Sequence, residues 1–343
     1  LLRVLQYLLH CNHILALPQF KQLTMLTKWA KRIGYTVLAV FIFINIIAAF
    51  QAYKFTHFYA GAPKPKKPSE MSGSEKASAI FFGVQYPKSK VVDSFLVAHD
   101  TVFLTTQDSV RLESWYAAAD TSNGKIPRGT VLMFHGHGSS KSGIIAEATA
   151  FHEMGYHIMV TDFRAHGNSE GSTTSIGMYE ARDVKAVYDY VQAKQEKNIV
   201  LYGISMGAAT ITKAVSEFGL KPSKVILEMP FATLQDAVAG RMRTMGLPSE
   251  PLSTLLTFWG GVELGAWAFN YQPQKDAAAI NCPVLLQWGV TDPRVTESET
   301  HQIFKNLASR EKELIKYVQS GHQSLCKNEK SKWYMTVGRF LMM

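Results

Sequence analysis

From residue 101 onward, short apolar runs alternate with longer amphipathic stretches, and no other feature constrains the fold of this chain so strongly. Val102-Phe103-Leu104 and Leu112-Glu113-Ser114-Trp115-Tyr116 read as a β-hairpin pair. Residues 130–134 are an apolar run of the kind found in strands buried on both faces. A helix around 141–154, a strand at 157–160, a helix around 177–196, a strand at 199–202 and a helix from Met206 to about Glu217 follow. Further strands are expected at 225–228, 284–288 and 314–318. A helix between two strands carries the chain back to the end where it started, so the strands lie parallel and the helices cover both faces. In such sheets ligands bind beyond the carboxyl ends of the strands, so the polar residues that follow each strand are the candidates for chemistry.

Gly203-Ile204-Ser205-Met206-Gly207 follows the strand at 199–202 and opens a helix. A serine in so sharp a turn needs small neighbours, and the helix start adds free N–H groups beside it. A serine hydroxyl needs a positioned base. His322, in Ser320-Gly321-His322-Gln323, follows the last strand, and Asp292 follows Gln287-Trp288-Gly289-Val290-Thr291. Ser205 is thus the expected nucleophile, His322 the general base and Asp292 the acid that orients it. Glu228 also ends a strand and is the alternative acid. His135-Gly136-His137-Gly138 closes the strand at 130–134, and the backbone amides of His137 and Met206 are the expected oxyanion donors. His135, His137 and His166 sit on separate turns without metal-ligand spacing, so they are read as structural histidines. Asp162 and Arg164 are expected to brace the loop beside the site. No metal and no cofactor is expected.

These pieces, together with Asp162-Phe163-Arg164-Ala165-His166-Gly167-Asn168-Ser169, resemble the α/β-hydrolase superfamily and its serine-aminopeptidase-like, or "hydrolase 4", branch of esterases and lipases. The resemblance covers roughly residues 130–325. It implies an α/β-hydrolase fold: a mostly parallel sheet of the eight-stranded type, helices on both faces and a helical lid insertion. It also implies a Ser-His-Asp triad in the chain order that Ser205, Asp292 and His322 follow. Ala165 departs from the pattern, which commonly has glycine there. Halide and epoxide chemistry is disfavoured, since those relatives place Asp where this chain has Ser205.

Residues 231–275, between two strands, read as the lid. Met242, Met245, Phe258, Trp259, Trp267 and Phe269 are expected to line an acyl pocket, about half of them serving as lid core. The globular domain is taken as 96–343.

Ahead of it, residues 33–53 carry no charge, and as a helix they span about 31 Å, the thickness of a hydrocarbon core. They are read as an uncleaved single-pass membrane anchor, with no clean small-x-small cleavage site after it. The charges on its two sides leave its orientation open. Residues 1–32 are taken as an N-terminal tail, with 1–24 as a fragment or mis-set start before Met25. Residues 54–95 are taken as a linker and lead-in, with a stiff Pro/Lys-rich stretch at 61–68.

The net charge of +9 belongs to the N-terminal part: nine Lys or Arg and no acid fall in 1–67, leaving 27 basic against 27 acidic residues afterwards. That suits anionic lipid headgroups better than a nucleic acid, and no nucleic acid partner is expected. Cys282, just before the apolar run 283–286, is read as a buried inert thiol, with a bridge to Cys326 left open.

The expected function is hydrolysis of a small acyl ester through an acyl-enzyme. The runner-up is a peptidase or amidase with the same triad, for which Glu250 or Glu263 would seize a free amine. A silent scaffold usually lacks a triad member, and here none is missing.

Overall fold

A computed structural model describes residues 18–63, 66, 70–92 and 95–343. It forms two units, one ending at Ala48 and the other running Ala49–Met343. Residues 1–17, half of the Pro/Lys-rich stretch (64–65 and 67–68), residue 69 and residues 93–94 lie outside the described residues.

The first helix, α1, runs Pro18–Thr56, beyond 33–53 on both sides. Proline is suited to a helix start, and no second proline interrupts the run. Thr27–Thr56 is long and apolar enough to cross a membrane, with a mean hydropathy of 2.4 and apolar side chains such as Val37 and Phe41 exposed. Two polar side chains of the span are satisfied within the helix: the Thr36 hydroxyl donates to the Arg32 carbonyl, and the Asn45 amide to that of Phe41, both at 2.9 Å. A span surrounded by hydrocarbon requires such internal satisfaction.

The second unit is built on eight strands: β1 (Asp100–Thr105), β2 (Arg111–Ala117), β3 (Thr130–Phe134), β4 (His157–Thr161), β5 (Ile199–Ile204), β6 (Lys224–Glu228), β7 (Val284–Gly289) and β8 (Lys312–Tyr317). Their order across the sheet is β8-β7-β6-β5-β3-β4-β2-β1. β1 pairs antiparallel with β2, and β2 antiparallel with β4; every other pairing is parallel. This is the α/β-hydrolase architecture expected from the sequence. After β3 the chain steps to β4 on one side and then returns to β5 on the other, so the order reverses between β3 and β5. A crevice opens at such a reversal, beyond the carboxyl ends of the strands.

The central strands form the middle of the core, covered on both faces. β3, β7 and all but the last residue of β5 are buried. The Tyr202 ring meets Phe151 and Trp333 edge-on, locking β5 to helices α3 (Ile145–Glu153) and α9 (Lys330–Met342). Helices α4 (Ala181–Ala193) and α5 (Met206–Phe218) pack on one another. Burying each such large apolar side chain contributes about 1.5–3 kcal/mol.

Residues 54–95 hold more than a linker. Phe58–Tyr59 and Tyr86–Pro87 form a two-stranded parallel pair, and helix α2 (Gly73–Phe82) opens with a Ser72/Glu75 capping box. Residues 18–24, taken from the sequence as part of a fragment or mis-set start, belong to α1. Within 231–275 lie α6 (Leu234–Thr244) and α7 (Leu252–Leu264), and α8 (Glu297–Asn306) follows β7. Cys282 and Cys326 are free thiols.

Candidate active site

Ser205 stands between β5 and α5 at φ 53°, ψ −113°, a conformation that costs a non-glycine residue strain. The tightness of the crossing explains the flanking glycines. A Cβ at Gly207 would lie 2.2 Å from the Phe134 carbonyl oxygen, and one at Gly203 2.5 Å from the backbone carbon of Gly207. Only hydrogen fits at either position, so Gly-x-Ser-x-Gly is a packing requirement here. The Ser205 N–H donates to the Glu228 carbonyl at 2.7 Å, which anchors the turn to β6.

Three loops beyond the strand ends bring the expected residues together. His322 Nε2 lies 2.8 Å from Ser205 Oγ, and His322 Nδ1 lies 2.7 Å from Asp292 Oδ2. Oδ1 of Asp292 accepts the backbone N–H groups of Arg294 (2.7 Å) and Val295 (3.0 Å), so its carboxylate is held from both sides. The Asp292 side chain is fully buried and that of His322 nearly so. With Nδ1–H given to the carboxylate, Nε2 is left to accept the serine proton.

The alternative acid is elsewhere. Glu228 is buried and accepts from the Trp333 indole at 2.6 Å and the Gln287 amide at 3.2 Å. Burial, with the charge of Glu147 adding to it, pushes its carboxyl up to about 8.

The 135–138 loop faces the nucleophile: a Cβ on Gly136 would sit 3.5 Å from that of Ser205. His137 and Met206 both line the cleft that holds Ser205. As first residue of α5, Met206 has an N–H without a partner in its own helix. The loop is braced by histidines, as expected. His135 Nδ1 donates to the Gly136 carbonyl at 2.8 Å while its Nε2 accepts from the Phe163 N–H. His166 Nδ1 donates to the Arg164 carbonyl, and its Nε2 accepts the Gly138 N–H at 3.1 Å. Burial holds His135 down at about 4 and His166 at about 3, so both stay neutral acceptors. Among the described residues no group of three or more His, Cys, Asp or Glu side chains could hold a metal ion.

Asp162 and Arg164 brace this region through partners that the sequence did not mark. Asp162 takes the Lys141 backbone N–H at 2.6 Å and pairs with the Lys141 ammonium, which is fully buried and also meets Glu113 at 2.9 Å. Arg164 is clamped by Asp108 (2.7 Å) and Asp183 (2.7 Å). An isolated lysine or aspartate in a sequence looks like any solvated charge, so nothing pointed to these pairings.

The cleft measures about 1130 Å³. Its lid wall is Phe231, Ala237, Val238 and Arg241, and residues before the sheet add Phe55, Phe58, Tyr86 and Val92. This corrects the expectation for the lid. Met242, Met245, Phe258, Trp259, Trp267 and Phe269 do not line it; Phe258 packs on Trp259 and Trp267, and Trp267 on Phe269. Neither Glu250 nor Glu263 lines it either. Glu250 is held by Gln235, Ser253 and Thr254, and Glu263 faces His57 at 3.2 Å.

Comparison with known proteins agrees with this architecture. The profile of the serine aminopeptidase S33 family matches residues 125–259. The uncharacterized protein YqkD of Bacillus subtilis is 28% identical over 180 residues, which are 51% of this chain and 59% of that protein. The lysophosphatidylserine lipase ABHD12 of Rattus norvegicus is 25% identical over 198 residues, 53% of this chain and 45% of that one. The matches therefore span about half the length of these relatives. Among solved structures, the Pyrococcus furiosus esterase Pf2001 superposes with a TM-score of 0.60 at 24% identity, over 74% of this chain and 98% of that one. An esterase from Exiguobacterium antarcticum superposes with a TM-score of 0.54 at 18% identity, covering 71% and 100%. Sheet order and serine turn give the chain the α/β-hydrolase fold, and over residues 125–259 it is similar to the serine aminopeptidase S33 family.

Proposed function

We propose that the protein hydrolyses carboxylic esters through an acyl-enzyme on Ser205. The observation that carries this reading is the unbroken relay from Ser205 Oγ to His322 Nε2 (2.8 Å) and from His322 Nδ1 to Asp292 (2.7 Å). His322 takes the hydroxyl proton as Oγ attacks the ester carbonyl. The tetrahedral oxyanion is met by the N–H groups of His137 and Met206. On collapse, the imidazolium gives its proton to the departing alkoxide, and the alcohol leaves. Water then repeats the cycle: His322 takes its proton, hydroxide attacks the acyl carbonyl, and the carboxylic acid departs as Ser205 regains its proton. Asp292 fixes the tautomer and stabilises the charged ring. Preorganised oxyanion donors are worth about 3–4 kcal/mol each in such reactions.

The walls favour an ester over a peptide. Phe55, Phe58, Phe231 and Val238 offer an apolar surface for an acyl chain, and among the described residues no Asp or Glu lines the cleft to seize a free amine. The apolar helix supports a membrane anchor as its setting, with 33–53 inside the span.

p-Nitrophenyl esters of graded chain length test the proposal. Wild type is expected to turn them over in preference to aminoacyl amides. Ser205→Ala and His322→Ala should lower kcat by about 10⁴-fold or more, and Asp292→Asn by about 10⁴-fold. A Ser205→Ala variant that keeps the wild-type rate would refute it.

A further inference from the structure

Two guanidinium groups share the cleft with Ser205, and neither has a carboxylate within ion-pair distance among the described residues. Arg241 projects from α6 with Tyr86 beside it: the ring centroid is 5.4 Å from the guanidinium carbon, and Nη2 donates to the Tyr86 hydroxyl at 3.0 Å. Its Nε is buried and has no acceptor. Arg294 follows Asp292 closely in the loop after β7 and is half-buried. That loop rests on α6 because residue 240 is glycine; a Cβ there would lie 2.3 Å from the Arg294 carbonyl oxygen. Arg243 holds the same carbonyl with its own guanidinium.

The charge of Asp292 reaches Arg294 and partly offsets the effects of burial and of the Arg241 charge, but its carboxylate makes no ion pair with either guanidinium. Its oxygens are committed to His322 and to two backbone N–H groups. Burial and the neighbouring Arg241 charge push the Arg294 guanidinium below its ordinary value. Both charges reach the oxyanion loop, where, after burial and His166, they help hold His137 well below the usual histidine range. The lysines of the cleft differ. Lys88 is spent on the carbonyls of Ser169 and Gly171, and Lys90 is exposed.

Two like charges that line one partly desolvated wall, neither with an ion-pair partner of its own, are unfavourable without a counter-charge. We propose that Arg241 and Arg294 recognise an oxyanion group, phosphate or carboxylate, on the alcohol or acyl portion of the ester substrate. This rests on the ester-hydrolase reading and names its substrate class: an anionic acyl ester whose chain lies on the Phe55, Phe58, Phe231 and Val238 surface while its charge meets the two guanidinium groups. Tyr86 positions Arg241, and the Asp292 loop positions Arg294, so acid and anion site share one loop.

The test compares three esters of one acyl chain on the full-length protein in detergent: 1-decanoylglycerol 3-phosphate, the monodecanoyl ester of glyceric acid, and neutral 1-decanoylglycerol. At least one anionic ester should exceed the neutral one in kcat/KM by about tenfold or more, as charge-assisted contacts allow. The arm that wins identifies phosphate or carboxylate. Arg241→Gln and Arg294→Gln should each cut that ratio about tenfold, and the Lys variants should restore part of it. Decyl phosphate and decyl carboxylate, set against decanol as protectants of wild-type Ser205 from a fluorophosphonate, probe the site without a variant and without turnover. At least one anion should protect about tenfold better. Equal ester rates, equal protection, or a preference untouched by both Gln variants would overturn the anion site while leaving the hydrolase intact. Failure of Ser205 to react with any fluorophosphonate would instead overturn the hydrolase reading.

Discussion

Two residues with left-handed backbone stand beside the chemistry. Ser205 takes φ 53° at the serine turn, and Ala165 takes φ 64° in the loop that supplies Arg164 and His166. At Ser205 the strain accompanies placement of a hydroxyl between two elements. At Ala165 no side-chain function accompanies it, and the methyl group is fully buried. Glycine would remove a steric cost of about 1–2 kcal/mol, against about 0.4–1 kcal/mol of added unfolded-state entropy and about 0.8 kcal/mol for the lost methyl burial. These nearly cancel, so Ala165→Gly is expected to shift stability by less than about 1 kcal/mol, with unchanged ester turnover. A loss above about 2 kcal/mol in denaturant melts would contradict it. At this scale the sequence was legible where chemistry forces a pattern. Gly203 and Gly207 follow from a contact that no side chain survives, and Asp292 and His322 from their places just past strand ends. Arg241, Arg294 and Lys141 were not legible, because what sets them apart is a missing or buried partner that only the folded chain supplies.

The strands and core helices agree with the sequence to within a few residues, because each carries a periodicity of its own. The segment from 54 to 92 carries none. Phe55, Phe58 and Tyr86 are scattered among polar and small residues, and their use as a cleft wall depends on contacts with distant loops. The lid erred in the opposite sense: its aromatic residues drew attention, yet they pack on one another, while smaller Ala237 and Val238 face the cleft. Between elements, the Glu228 carboxyl joins β6, β7 and α9 through Gln287 and Trp333. Its value in the fold, about 8, is raised from 4.5, so the neutral form is the one folding favours. That contribution is fully present below pH 4.5 and is lost as pH rises through 8. Glu228→Gln should therefore gain stability over wild type as pH rises across this window, by at most about 1.4 kcal/mol per pH unit. Thermal melts from pH 5 to 9 check it; parallel curves for the two proteins would contradict it.

At the scale of the molecule, charge and hydropathy divide the chain. All the excess positive charge lies in residues 1–67, around a helix whose apolar surface is exposed, while the hydrolase portion is neutral. A helix of this length and composition should hold the protein in membranes through an alkaline carbonate wash. Recovery in the soluble fraction after that wash would contradict the anchor. Every functional statement rests on the reactivity of one hydroxyl, and peptide mapping after reaction with a fluorophosphonate probes that hydroxyl without an intermediary. One adduct is expected, on Ser205, absent from Ser205→Ala and strongly slowed in His322→Ala. Labelling at another residue, or equal labelling of wild type and Ser205→Ala, would show that the relay through His322 does not activate Ser205.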